Sequence, residues 1–114
     1  MHSYRRNTRG IVDELFNNAL KAGATTIEVQ VDFSGDEVVI KVKDNGEGMD
    51  QQKLEEVKKK LERPRREELE DYYGSLAGLS FQGTGLSLVG MMTDSARIIT
   101  DPGGGTEITV FMKK

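Results

Sequence analysis

The sequence of 114 residues has no cysteine and only one histidine. Without cysteine, the chain can form neither a disulfide nor a thiolate metal site, and it has no thiol nucleophile. The histidine, His2, lies at a chain end of the kind that usually frays, so we interpret it as incidental rather than catalytic. No apolar run approaches the ~20 residues of a membrane-spanning helix, and residues 1–10 lack the apolar core of a signal peptide. We therefore expect a cytoplasmic protein without a membrane partner.

A strong charge of one sign is also absent, since the formal net charge is -3. This balance gives no electrostatic reason to expect nucleic acid or an anionic membrane as partner. A basic cluster at residues 58–66 is flanked by glutamates, and we interpret it as a solvated, self-paired face. Charged residues make up 31% and hydrophobic residues 36%, which is typical of a globular protein. We predict a single domain over residues 1–114 that binds no nucleic acid.

Apolar periodicity predicts three main helices and two β-hairpins. The predicted helices cover about residues 6–22, 51–63 and 86–92, and residues 65–73 form a short helix or an extended turn. The predicted strands cover residues 25–33, 37–44, 96–101 and 106–112. The segment 74–82 is apolar yet rich in glycine and serine, without a clear period, which is typical of a mobile loop.

An aspartate ends the second predicted strand. Asp44 has the same parity as Val38, Ile40 and Val42, so all four side chains lie on one face, which we expect to be buried. A buried carboxylate without a donor is costly, so some group must offer it a hydrogen bond. The glycines that follow, Gly46 and Gly48, leave room for another group close to the backbone.

The first predicted helix has a polar margin. Glu14, Asn18 and Lys21 fall within an arc of about 60° beside the apolar stripe of this helix. One interpretation is an ordinary solvated helix edge with an acid and a base. The other is a functional site, in which the amide oxygen of Asn18 binds Mg²⁺, a cation that prefers hard oxygen ligands.

Glycine is enriched, with 13 residues that mostly form three clusters. One cluster, Gly83-Thr84-Gly85, leads into the third helix, and free amides at a helix N-terminus attract phosphate. Asp44 can accept a hydrogen bond from an exocyclic amine. Together, these features suit a purine nucleotide whose phosphates lie near Gly83 to Leu86. Taken singly, each signal is weak.

Four segments resemble, in order, the N, G1, G2 and G3 boxes of the GHKL superfamily of gyrase, heat-shock-protein, histidine-kinase and mismatch-repair ATPases. They are residues 14–21 (ELFNNALK), 44–49 (DNGEGM), 83–88 (GTGLSL) and 105–106 (GT). The resemblance implies the Bergerat fold, an α+β two-layer sandwich whose mainly antiparallel, mixed sheet is covered on one face by about three helices. It also implies an ATP lid at about residues 50–83.

The resemblance further implies ATP and Mg²⁺ as cofactors, with Asp44 binding the adenine amino group and Asn18 holding the metal. The ATP-binding residues it implies are Asn18, Lys21, Asp44, Gly46, Gly48, Met49, Gly83, Thr84, Gly85, Leu86 and Thr106. Glu14 is the candidate catalytic residue, either as a general base near the γ-phosphate or as a support of the metal shell. These two roles stay open.

The branch of the superfamily is not fixed by these residues. Lys21 resembles the histidine-kinase N box, residues 22–25 are closer to the mismatch-repair type, and residues 101–106 look like the anti-sigma-factor serine kinases. The first hypothesis is an ATP-dependent kinase or ATPase domain that transfers the γ-phosphate to a protein partner in trans. The alternative is a nucleotide-gated binding module with little or no catalysis. We expect a mismatch-repair or gyrase clamp less than a kinase, because we recognise no transducer domain that would supply a second phosphate-binding lysine. One open sheet face would also permit a homodimer.

Overall fold

The structure is a computed structural model, and it describes residues 3–61 and 85–114. Its helices are α1 (Ser3–Lys21), α2 (Gln51–Leu61) and α3 (Gly85–Met92). Its strands are β1 (Ile27–Asp32), β2 (Glu37–Asp44), β3 (Ser95–Asp101) and β4 (Gly105–Lys113). The predicted elements within these ranges are confirmed, although α1 begins three residues earlier than expected. The predictions for residues 65–73 and 74–82 lie outside the described residues.

The four strands form one sheet in the order β1-β2-β4-β3. Every strand pair in the described part of the chain is antiparallel, and both predicted hairpins, β1–β2 and β3–β4, are present. The central pair joins the two hairpins, with Ile40 opposite Val110 and Asp44 opposite Thr106. Since opposite residues of an antiparallel pair lie on the same face, the apolar rows of β2 and β4 form one continuous surface.

The helices cover that apolar surface, so the architecture is the expected α+β two-layer sandwich. The core consists of the buried residues Ile11 and Leu15 of α1, Met49 of the loop after β2, Val57 and Leu61 of α2, Val89 of α3, and the inward rows Val38, Ile40, Val42, Ile108, Val110 and Met112. Burying a side chain of this size stabilises the fold by roughly 1.5–3 kcal/mol relative to leaving it exposed. The core therefore holds α1 firmly over β2, where the predicted site begins.

None of the described helices covers the opposite face of the sheet, which carries the residues of the other parity, including Lys41, Lys43 and Glu107. Strand β1 is an edge strand, and Val29 and Val31 are 39% and 36% exposed even though they share a face with the core. Their exposure follows from the edge position, where the helical layer only partly covers the sheet. Within the described ranges, no helix is long and apolar enough to cross a membrane.

Candidate functional site

A cavity of about 580 Å³ opens where α1, the end of β2, the start of α2 and the start of β4 meet. It is lined by Asn18, Lys21, Ala22, Asp44, Glu47, Gly48, Met49, Asp50, Lys53, Pro102 and Thr106. Six of these have predicted ATP-binding roles: Asn18, Lys21, Asp44, Gly48, Met49 and Thr106. The tertiary structure thus brings the first, second and fourth sequence boxes to one cavity.

Asp44 is the buried acid of this cavity, with an exposed fraction of 9%. Its Oδ1 accepts a hydrogen bond of 2.8 Å from the backbone amide of Gly46. Within the described ranges the other carboxylate oxygen, Oδ2, has no hydrogen-bond donor, although burial makes an unpaired acceptor costly. Thr106, which is 6% exposed, lies directly opposite on β4. The sequence prediction that the Asp44 carboxylate is buried is confirmed.

The loop after Asp44 packs tightly against the end of α1. A Cβ atom at Gly46 would lie 2.7 Å from the carbonyl oxygen of Ala22, so only glycine allows this approach. The amide of Glu47 donates to the same carbonyl at 3.1 Å. Gly46 is therefore behind the cavity rather than in its lining, and it fixes the position of Asp44 relative to Asn18 and Lys21.

The same loop is braced on its other side by the β3–β4 turn. Gly48 has a φ of +72°, and a side chain there would collide with the carbonyl of Asp101. The amide of Gly103 donates to the carbonyl of Glu47 at 2.5 Å. The amide of Met49 donates to the hydroxyl of Thr100 at 3.0 Å. This bracing is the reason why Pro102, which is far away in sequence, forms part of the cavity wall.

Asn45 has a structural role that the sequence analysis does not identify. Its Oδ1 accepts from the amides of Thr25 and Thr26 at 2.8 and 2.9 Å, and its Nδ2 donates to the hydroxyl of Thr25 at 2.8 Å. These bonds tie the α1–β1 connection to the loop that carries Asp44. The only sequence signal was the turn composition of Asp-Asn-Gly, which does not specify a partner.

Lys53 is the second lining residue that sequence analysis misses. The carboxylate of Asp50, predicted as a possible N-cap, accepts from the amide of Lys53 at 2.8 Å and so begins α2. This cap places Lys53 in the first turn of the helix, where its side chain lines the cavity beside Met49. The sequence signal for Lys53 is its position in the first turn of a helix whose N-cap, Asp50, is predicted.

The polar margin of α1 divides between two places. Asn18 and Lys21 line the cavity, whereas Glu14 does not. The Glu14 carboxylate instead lies against Gly85, at the beginning of α3, where a Cβ atom would collide with it. A carboxylate is favourable there because the N-terminus of a helix carries partial positive charge. Gly85 and Leu86 are half-buried at this helix start, and the predicted residues Gly83 and Thr84 lie outside the described residues.

The residues present fit a magnesium nucleotide. The Oδ2 of Asp44, which has no donor among residues 3–61 and 85–114, can accept a hydrogen bond from an exocyclic amine, and Lys21 and Lys53 supply positive charge for phosphates. In the part of the chain that the structure describes, no three His, Cys, Asp or Glu side chains lie close enough to hold a metal ion. The amide oxygen of Asn18 could hold Mg²⁺ together with phosphate oxygens and waters, which is how this cation is commonly bound.

The sequence matches a known protein family along nearly its whole length. Residues 5–114 fit the family described as "Histidine kinase-, DNA gyrase B-, and HSP90-like ATPase". The chain belongs to this family. The match confirms the GHKL superfamily that the four sequence boxes indicate, and members of this ATPase family bind ATP.

The chain is also similar to bacterial proteins named "DNA mismatch repair protein MutL". It is 38% identical to the protein of Thermosipho melanesiensis over 94 residues, 82% of this chain and 16% of that protein. It is 38% identical to the protein of Rhizobium leguminosarum bv. trifolii over 100 residues, and 35% identical to that of Chlamydia abortus over 98 residues. These alignments cover 85% and 86% of this chain and 16% of each relative. The chain thus spans about one sixth of these relatives.

These relatives change two expectations about the function. They carry the name of the mismatch-repair branch, which the sequence analysis disfavours relative to a kinase. They are also named as DNA repair proteins, so the expectation that nucleic acid is not a partner is left without support. Transfer of phosphate to a protein in trans has no support from these relatives.

Proposed function

We propose that this ATPase-family domain binds ATP together with Mg²⁺ in the 580 Å³ cavity and hydrolyses it. The observation that supports this most directly is the buried Asp44, whose Oδ1 is occupied by Gly46 and whose Oδ2 has no donor in the described ranges. An exocyclic amine of adenine is the kind of donor that satisfies this oxygen. The rest of the cavity carries the lysines and the amide that a triphosphate and its metal need.

The proposed roles follow the arrangement of the lining. Asp44 and Thr106 bind the adenine edge, while Gly46, Gly48 and Met49 shape the loop around it. Asn18 holds Mg²⁺, which supplies charge neutralisation at the phosphates. The proposed phosphate-binding residues are Lys21, Gly83, Thr84, Gly85 and Leu86. We propose that the lid over the nucleotide lies within the segment 50–83, after the core residues Val57 and Leu61 of α2.

Glu14 is the proposed general base for hydrolysis. Although Glu14 is a residue of α1, its carboxylate lies against the start of α3, the helix end that is proposed to bind phosphate. A general base of this kind typically contributes on the order of 10²- to 10⁴-fold to the rate. The alternative role, support of the metal shell through hydrogen bonds, predicts that substitution of Glu14 weakens Mg²⁺-dependent binding as well as hydrolysis.

The relatives favour a whole-protein role in which ATP binding controls a DNA-repair assembly, with DNA or a protein as the partner. The supporting observation is the 35–38% identity to proteins named for DNA mismatch repair across more than four fifths of this chain. Because the match covers 16% of each relative, the similarity supports the ATP-binding step of this role and does not identify the partner.

The test of ATP binding is Asp44→Asn, which removes the charge while preserving the shape. We expect a loss of affinity of about 10- to 100-fold for Mg-ATP in calorimetry, because a hydrogen bond to a charged group is lost. Asp36→Asn, in the exposed β1–β2 turn, is the matched control and should leave the affinity unchanged. Equal affinity of wild type and Asp44→Asn, with both folded by circular dichroism, would overturn the site assignment.

A second candidate is an ATP-dependent protein kinase that acts in trans. Lys21 favours it, because this lysine follows Asn18 by three residues, as in histidine kinases, and lines the cavity. Incubation with Mg-[γ-³²P]ATP and candidate partners distinguishes the functions. Transfer of label that disappears in Glu14→Ala supports the kinase, and phosphate release without transfer supports hydrolysis. Tight binding with neither outcome leaves the nucleotide-gated module.

A further inference from the structure

A threonine behind the cavity wall contacts three groups of the proposed base-binding region. Thr100 lies on β3 directly opposite Thr106 on β4, and it is not among the residues that line the cavity. Its Oγ1 accepts from the amide of Met49 at 3.0 Å and donates to the carbonyl of Gly105 at 3.1 Å. It also lies 2.9 Å from the hydroxyl oxygen of Thr106.

These contacts use the whole hydrogen-bonding capacity of the hydroxyl. A threonine hydroxyl has one proton and two lone pairs, which match one donated and two accepted bonds. Since the carbonyl of Gly105 can only accept and takes the one proton of the Thr100 hydroxyl, the Thr106 hydroxyl donates its own proton to Thr100. Thr106 therefore presents only acceptor lone pairs to the cavity. This direction is set by Thr100, which does not itself line the cavity.

The direction of the Thr106 hydroxyl matters because this residue pairs with Asp44 across the two central strands. A hydroxyl that rotates freely can donate to one base edge and accept from another. A hydroxyl held by a partner fits a single pattern of donors and acceptors. The six-position of adenine carries an amine and its N1 is an acceptor, whereas a 6-oxo purine reverses both groups.

We propose that Thr100 is a positioning residue that makes the cavity discriminate a 6-amino purine from a 6-oxo purine. This inference rests on the proposed function, since it concerns how that same cavity selects its base. Thr100 acts through Thr106, whose hydroxyl it orients, and through Met49, whose amide it anchors. No contact between Thr100 and the nucleotide is required.

The test compares the affinities of ATP and inosine triphosphate, which differ only at the six-position and N1 of the base. For wild type we expect tighter binding of ATP. In Thr100→Val we expect the ATP-to-ITP affinity ratio to fall by about three- to tenfold, because one oriented hydrogen bond is lost. Thr100→Ser, which keeps the hydroxyl, should retain the wild-type ratio. Thr109→Val is the matched control, since Thr109 is a buried threonine of β4 whose side chain lies on the sheet face away from the helices and the cavity.

Thr100→Val also leaves the amide of Met49 without its acceptor, so Thr100→Ala is a second variant that leaves room for a water there. An unchanged ATP-to-ITP ratio in the folded Val or Ala variant would overturn the inference. So would equal affinity of wild type for the two nucleotides. Failure of wild type to bind ATP at all would instead overturn the proposed function itself, so the two failures are distinguishable.

Discussion

The carboxylate of Glu14 lies directly against the backbone of Gly85, the first residue of α3. Glu14 belongs to the first sequence box and Gly85 to the third, so two boxes that are distant in the chain are in direct contact. The space beside the Gly85 backbone is filled by the Glu14 carboxylate, which would have to move if residue 85 carried a side chain. This contact fixes where the start of α3 lies relative to α1.

Gly85→Ala should destabilise the fold by about 0.3–1 kcal/mol, because the flexible Glu14 side chain must move and its carboxylate loses its place at the start of α3. Removing the carboxylate should relieve the collision, so the loss caused by Gly85→Ala should be smaller in a Glu14→Ala background. Urea denaturation of the four proteins measures this coupling. Gly10→Ala is the control, because nothing lies within 4 Å of its Cβ position and alanine favours a helix. Additive losses for positions 14 and 85 would contradict the contact.

Lys53→Ala should weaken Mg-ATP binding by about two- to fivefold at low salt, the magnitude expected for an exposed charge interaction. The effect should shrink as the ionic strength rises, because salt screens exposed charges. Calorimetry at two salt concentrations checks both statements. Lys58→Ala, on the exposed side of the same helix, is the comparison, and an equal effect of the two substitutions would argue against a specific role of Lys53.

Asn45→Ala should lower the free energy of unfolding by about 1–2 kcal/mol, because the bonds to Thr25 and Thr26 are lost and all are exposed to solvent. Urea denaturation measures the change. Asn17→Ala, at an exposed position of α1, is the control and should have little effect. Wild-type stability in Asn45→Ala would show that the loop carrying Asp44 does not depend on this connection.

The β1–β2 turn offers a test based on protonation. The side-chain hydroxyl of Ser34, followed by its backbone amide, lowers the pKa of Asp32 below its ordinary value. The resulting stabilisation is present above the unfolded pKa and is lost as the pH falls through the lower, folded pKa. In Ser34→Ala the pKa of Asp32 should rise, which carboxyl-carbon NMR titration measures. An unchanged pKa of Asp32 in Ser34→Ala would refute the turn geometry.

The sequence alone determined the helices and strands of the described ranges and the buried position of Asp44. The strict alternation in β2 placed Asp44 in the row of Val38, Ile40 and Val42, and the structure buries it there. Helical periodicity likewise placed Asn18 and Lys21 beside the apolar stripe of α1. These predictions succeed because side-chain direction along a helix or strand depends only on local geometry. The four sequence boxes added the superfamily, which the family match confirms.

The contacts between distant segments were decided only by the tertiary structure. No sequence period indicates that Gly48 meets Asp101, that Thr100 holds Met49 and Thr106, or that Lys53 faces the cavity. Each of these contacts depends on the β2–β4 register and on how α2 begins after its cap. The sequence therefore determined that a buried carboxylate would need a donor. The packing of a loop between α1 and the β3–β4 turn decided the shape of the space in which that donor must fit.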